Sequence, residues 1–141
     1  MSKALENKTN LEMFISKALK KHESREENFD IEVKDYGLIN FKRPSSNQLL
    51  KYLDEVSNCV GTGENARVDL IGITEASKDL VYNCCLFLQS SELREKLGIK
   101  DPLETPIIIF GIEETNRLAA EISDKAEGSK ISVEVSEEIK N

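Results

Sequence analysis

Residues 74–89 form the most apolar helix that the sequence predicts, and covering that helix constrains the fold more than any other feature. At helical spacing Ala76, Leu80, Val81, Cys84, Cys85, Phe87 and Leu88 share a broad apolar face, while Lys78, Asp79 and Asn83 fall on the other side. A face this wide must be removed from water, so the helix is predicted to lie at the centre of the core. Thr74 is placed to cap it, because a hydroxyl accepts one of the N–H groups that the first turn leaves unpaired.

The segments ahead of this helix change period twice. Thr9-Asn10-Leu11-Glu12 matches a capping box, and Leu11, Phe14, Ile15, Ala18 and Leu19 continue it as a helical stripe to about Lys21. A helix with one apolar face must dock on something. Residues 22–28 read as a charged linker. Phe29-Asp30-Ile31-Glu32-Val33 then alternates strictly, as a half-buried strand does; Asp35-Tyr36-Gly37 is a turn, and Leu38-Ile39-Asn40-Phe41 returns. A lone hairpin is marginal in water and needs a covered face. Phe29, Ile31, Val33, Leu38, Ile39 and Phe41 are therefore both core candidates and the candidate partner-binding residues, through strand addition or an apolar face. The outer faces of the first and last helices are the other candidate surfaces. Ser45-x-x-Gln48 opens a second helix over residues 46–58, with Leu49, Leu50, Leu53 and Val56 as its stripe. Residues 61–65 are a flexible connection, and residues 68–73 lead into the central helix.

Beyond that helix, Ser91 is placed to cap a short helix over residues 92–97, with Gly98 as its stop and Ile99 as the apolar residue after it. Asp101-Pro102 and Thr105-Pro106 each start a new element, since proline suits a first turn. Ile107-Ile108-Ile109-Phe110 is β-branched, yet no parallel partner strand is in sight, and a short helix is the better reading. Gly111 breaks it. Ile112, Thr115, Leu118, Ala119 and Ile122 mark a last helix, about residues 113–127, stopped by Gly128. The expected fold is mainly α: one small domain, residues 1–128, of five to six helices with a β-hairpin at about 29–42, followed by an acidic tail, 129–141.

Charge and cysteine usage narrow the function classes. The net charge is −7, with 15 Lys and Arg against 16 Asp and Glu in residues 1–100 and 4 against 10 in residues 101–141. An acidic surface opposes phosphate-backbone binding, so no nucleic acid is expected; it suits solubility or the masking of a sticky partner. Cys59, Cys84 and Cys85 are three, two of them adjacent, with no CxxC spacing, and read as reduced, buried thiols of a cytoplasmic protein. The N-terminus lacks the apolar run of a signal peptide, and residues 106–112 are too short to span a bilayer, so no membrane is expected. His22 is the single histidine and lies in a charged helix end, which favours a solvated side chain over a catalytic or metal role. Gly61-x-Gly63 lacks the rest of a phosphate loop and reads as a hinge. Neighbouring acidic pairs such as Glu113-Glu114 diverge by about 100 degrees on a helix and do not converge on one proton. Neither catalytic, cofactor nor metal residues are expected: the chain reads as a non-enzymatic interaction protein.

A sharper expectation comes from Lys78-Asp79-Leu80-Val81-Tyr82, then Leu86-Phe87-Leu88-Gln89-Ser90-Ser91-Glu92-Leu93, then Leu97-Gly98-Ile99-Lys100-Asp101-Pro102. With the hairpin and a helix before it, the Asn116–Ile122 helix after it and the acidic end at Lys140-Asn141, this order resembles the XkdN-like family of phage tail assembly chaperones over roughly residues 28–128. The resemblance implies a small helical protein of the host cytoplasm, in phages or phage-derived tail-like particles of Gram-positive bacteria. Its implied partner is the tape measure protein, kept soluble until the tail tube polymerises; the tail tube protein and a further copy of the chain are additional candidates. The chaperone is not expected in the mature particle. The alternative is a small adaptor or regulatory protein of a mobile element that binds a host protein.

Overall fold

A computed structural model describes residues 9–25, 27–61 and 67–127. Among them the chain is mainly helical, with six α-helices and one two-stranded hairpin near the N-terminus, as expected. In chain order these are α1 (Leu11–Ser24), β1 (Asn28–Val33), β2 (Gly37–Lys42), α2 (Ser46–Asn58), α3 (Leu70–Cys84), α4 (Ser91–Leu97), α5 (Thr105–Phe110) and α6 (Ile112–Ala126). Short 3-10 turns occupy Leu86–Gln89 and Pro102–Glu104. The predicted tail at 129–141 and most of the 61–65 connection lie outside the described residues. The flanks of that connection are paired: Val60 bridges Val68, and the Asp69 N–H donates to the Cys59 carbonyl at 2.7 Å.

Helix α3 is the hub. It packs against α6, α2 and α5, and buries Ala76, Leu80, Val81 and Cys84. Its boundaries differ from the predicted ones. Asp69, not Thr74, is the cap, with its Oδ1 accepting the Gly72 N–H at 3.1 Å, so the helix gains a turn at its start. It ends at Cys84, not at residue 89. The Gln89 side chain folds back and donates from Nε2 to the Tyr82 and Asn83 carbonyls at 2.9 and 3.3 Å, giving the open helix end a partner. That reversal sends Leu86 and Phe87 into solvent and returns Leu88 to the core. Lys78, expected on the solvent side, is buried. Its stem lies along the packed face, and its ammonium pairs with Glu75 at 2.8 Å and with Glu104 of the second 3-10 turn.

The hairpin pairs Phe29 with Phe41, Ile31 with Ile39 and Val33 with Gly37. Opposite residues share a face, so all five apolar side chains point the same way, and β1 lays them on α6. Asp35 (φ 73°) and Gly37 (φ 81°) make the tight reversal. Tyr36 at the tip donates to the Ile109 carbonyl at 3.0 Å and sets its ring edge-on to Phe110, with centroids 5.5 Å apart. At the other end the Arg43 N–H donates to the Glu27 carbonyl, and its guanidinium reaches the Ala126 carbonyl at the last turn of α6.

Local signals account for most other boundaries. The Ser45–Gln48 capping box of α2 is complete in both directions. Ser90, one residue before the expected Ser91, caps α4 through the Leu93 N–H. Gly98 (φ 66°) closes α4: its N–H donates to Glu95 and that of Ile99 to Arg94, a Schellman arrangement that favours glycine. Residues 107–110 are helical, as expected, within α5. Gly111, at φ 85° and ψ 169°, lets α6 begin at once in a new direction, in a conformation open essentially to glycine alone. In α1 the cap is Asn10, not Thr9: Asn10 is extended, and its Oδ1 accepts the Met13 N–H at 2.9 Å.

Helix α2 corrects a stripe. Leu50 and Leu53 are exposed, and Tyr52 is the residue that α2 buries, with Val56 packed partly against the core. The mixed sequence Leu49–Val56 offers two overlapping faces, and the position of α3 selects between them.

Candidate functional site

The six candidate hairpin residues fall into two groups. Phe29, Ile31, Val33, Ile39 and Phe41 are buried in the core, and only Leu38, 71% exposed, faces solvent. A partner reaching the hairpin therefore meets Leu38 and the polar face of Asp30, Glu32 and Asn40, where Asn40 donates to Asp30 at 3.0 Å. The outer edge of β1 is also engaged. Arg117 of α6 donates through Nη2 to the Glu32 carbonyl at 2.8 Å, and the Lys34 N–H donates to Glu114 Oε2 at 2.7 Å. These contacts cover part of the edge that strand addition would use.

Glu114 and Arg117 tie this edge to α6 by a forked pair, Nε to Oε1 at 2.6 Å and Nη2 to Oε2 at 3.0 Å, while Nη1 reaches Glu121 at 2.7 Å. The Arg117 hydrogen bond, with help from the Lys34 N–H, holds the Glu114 carboxyl below the usual carboxylate range. A depressed acid contributes stability above its unfolded pKa, about 4.3, and loses it as pH falls through the lower folded value. Glu114→Gln is expected to lower the denaturation midpoint at neutral pH, with the gap to the parent closing below that unfolded pKa. A gap that stays constant to pH 3 in urea titrations would show that Glu114 is not the linked group.

Docking surfaces of a different kind lie elsewhere. Helix α1 buries no residue: Leu11, Met13, Phe14, Ile15 and Leu19 are all between 45 and 72% exposed. The sequence required this helix to dock, and among the described residues its apolar face has no cover. A second apolar surface is a groove of about 340 Å³ between the first turn of α3, α5 and the start of α6. Leu70, Ile71, Ile107 and Ile112 line it, and Glu75, Lys78 and Glu104 form its polar side. Ile71 is 79% exposed. Sequence reasoning missed the groove because residues 68–73 read as a lead-in and Ile112 as part of a buried stripe. The available signal was the Leu70-Ile71 pair directly after a capping aspartate, which puts two large apolar residues on a first turn.

Nucleophile chemistry finds little purchase. Burial pushes the Cys84 thiol up to about 12 and also raises Cys85, while desolvation and the carboxylates of Asp69 and Glu55 raise Cys59. All three are held as thiols at neutral pH, the unreactive form. In the folded chain Cys59, which is partly exposed, is expected to label first with a disulfide reagent, and Cys84 and Cys85 only on unfolding. Two thiols labelling rapidly in the native state would contradict this packing. His22 is exposed in the last turn of α1. Among the described residues no three His, Cys, Asp or Glu side chains converge as a metal site, and no helix is long and apolar enough to cross a membrane.

Comparison of the chain with known protein families, characterised proteins and solved structures finds no match.

Proposed function

We propose that this chain is a phage tail assembly chaperone of the XkdN-like kind, which binds the tape measure protein in the host cytoplasm and keeps it soluble until the tail tube polymerises. The observation that carries the reading is α1, a four-turn amphipathic helix whose whole apolar stripe is offered to solvent beside a packed core. The central motif from Lys78 to Pro102, with its resemblance to that family, supplies the identity of the client. A tape measure protein presents long apolar helical seams, and uncovered patches of that size aggregate. Apolar helix faces on an acidic protein, net charge −7, cover such seams and keep the complex in solution. Repeated moderate contacts along the client also suit a chaperone that the tube must later displace.

Co-expression with the tape measure protein tests this directly. The client is expected to stay soluble and co-purify with the chain, and Phe14→Asp is expected to reduce both. A client that remains insoluble and never co-purifies with the parent chain would overturn the assignment.

A further inference from the structure

The two edges of the hairpin are not alike. The Arg43 N–H donates to the Glu27 carbonyl at 2.7 Å, in register with the ladder. Bonded and non-bonded pairs alternate in an antiparallel ladder. Phe29 with Phe41 and Ile31 with Ile39 are therefore the bonded pairs, and the residues between them aim N–H and C=O at the outer edges. On β1 that parity is visible, since the Glu32 carbonyl accepts from Arg117 and the Lys34 N–H donates to Glu114. On β2 the corresponding groups belong to Leu38, Asn40 and Lys42, and they have no hydrogen-bond partner among the described residues. An edge left in this state is a template for another strand.

The alternation that builds the hairpin recurs in Ile131-Ser132-Val133-Glu134-Val135, β-branched at every second position. These residues lie outside the described ones; the end of α6 that leads to them does not. We propose that residues 130–135 add to β2 as an antiparallel third strand, a strap on the edge that α6 leaves open.

The chain path favours this occupant. Arg43, the residue after β2, holds the Ala126 carbonyl at the last turn of α6 through its guanidinium. Glu127, Gly128 and Ser129 then separate Ala126 from Lys130. Three extended residues reach about 10 Å, and the third strand of a sheet lies about 10 Å from the first. Strand β2 runs toward Arg43, so a segment that starts there and runs back along it is antiparallel. Lys130–Val135 matches the six residues of Gly37–Lys42 in length. Opposite residues share a face. With Ser132 and Glu134 bonded to the even-numbered residues of β2, they join exposed Asn40 and Lys42 on the solvent side, where Glu134 brings a carboxylate to the face that carries Lys42. Ile131, Val133 and Val135 then join Ile39 and Phe41 on the core side. The short tether selects the chain's own segment over a partner's, because it holds the strand at millimolar effective concentration. A third strand is also what a marginal two-stranded hairpin needs. The strap closes this edge to strand addition by a partner and leaves the face of α1 available; it does not rest on the client reading.

Amide hydrogen exchange and proton NMR on the full-length chain test the proposal. In the parent the Asn40 N–H is expected to be protected, and an α proton of Ile39 or Phe41 to lie close to one of Ile131, Val133 or Val135, which form the non-bonded pairs of the new ladder. Ser132→Pro removes an N–H that faces β2 and is expected to speed Asn40 exchange by about tenfold or more. Ile39 and Phe41, bonded to β1, are expected to keep their protection, and Ser132→Thr, which retains the N–H, to behave as the parent. If Ser132→Pro also exposes Ile39 and Phe41, Val133→Asp tests the strand through its inward face. Free exchange of Asn40 in the parent overturns the proposal. So does protection that survives both Ser132→Pro and Val133→Asp, and so does protection that rises with protein concentration, which would mean that a second copy supplies the strand.

Discussion

Replacing Phe41 by alanine is expected to lower the unfolding free energy by about 3–5 kcal/mol, the range for truncating a buried aromatic. Phe41 is fully buried opposite Phe29, on the hairpin face laid over α6. Truncation removes the transfer free energy of the ring and leaves a void between β2 and the helices, which close packing cannot fill without moving both. Against a total stability of about 5–15 kcal/mol for a domain of ordinary size, such a loss brings the protein close to its threshold. Leu38→Ala is the control from the same strand: its side chain faces solvent, and its effect is expected within about 0.5 kcal/mol of zero. Urea unfolding followed by circular dichroism measures both, with the change read from the midpoint at constant slope. A loss under about 1 kcal/mol for Phe41→Ala would mean that the hairpin face is not core, and would return it to the candidates for partner binding.

Leu80→Ala is the second large effect, expected at about 2–5 kcal/mol. Leu80 is 2% exposed at the middle of α3, the helix that touches α2, α5 and α6. A cavity there loosens several interfaces together. Leu80→Met, which nearly conserves volume, is expected to cost less than about 1.5 kcal/mol, and Phe87→Ala, on the exposed 3-10 turn, to stay near zero. If Phe87→Ala destabilised as strongly as Leu80→Ala, the 3-10 turn would have to lie inward, and α3 would continue to residue 89 as its period suggests.

Where the chain declares its own local chemistry, the elements were legible in the residues. The alternation Phe29–Val33, the complete capping box at Ser45–Gln48, the left-handed stop at Gly98 and the restarts at Pro102 and Pro106 each act within a few residues, and each stands in the structure as expected. The misses have a common cause. Thr9 and Asn10, or Ser90 and Ser91, are neighbours that can all accept a first-turn N–H, and spacing does not rank them. At the start of α3 the signal was more remote, since Asp69 lies five residues ahead of Thr74. The end of α3 depended on a side chain, Gln89, reaching back to carbonyls seven and six residues earlier.

The candidate surfaces were less legible for a related reason. Periodicity says that a face is apolar; it does not say what covers it. Five hairpin residues and the stripe of α1 carry the same kind of signal, yet α6 covers the first set and nothing among the described residues covers the second. Lys78 shows the reverse case, a charged residue drawn inward because Glu75 and Glu104 stand where its ammonium emerges.

By itself the sequence determined the element types, their order, the mainly helical class with one hairpin, and α3 as the hub, because backbone propensity, capping and amphipathic period act locally. Only the tertiary structure decided which apolar faces become core and which stay on the surface: Tyr52 over Leu50, Leu88 over Phe87, the hairpin over α1. That choice depends on where distant segments arrive. The groove at Leu70, Ile71 and Ile112 exists only because the first turn of α3 meets the start of α6, some forty residues later along the chain.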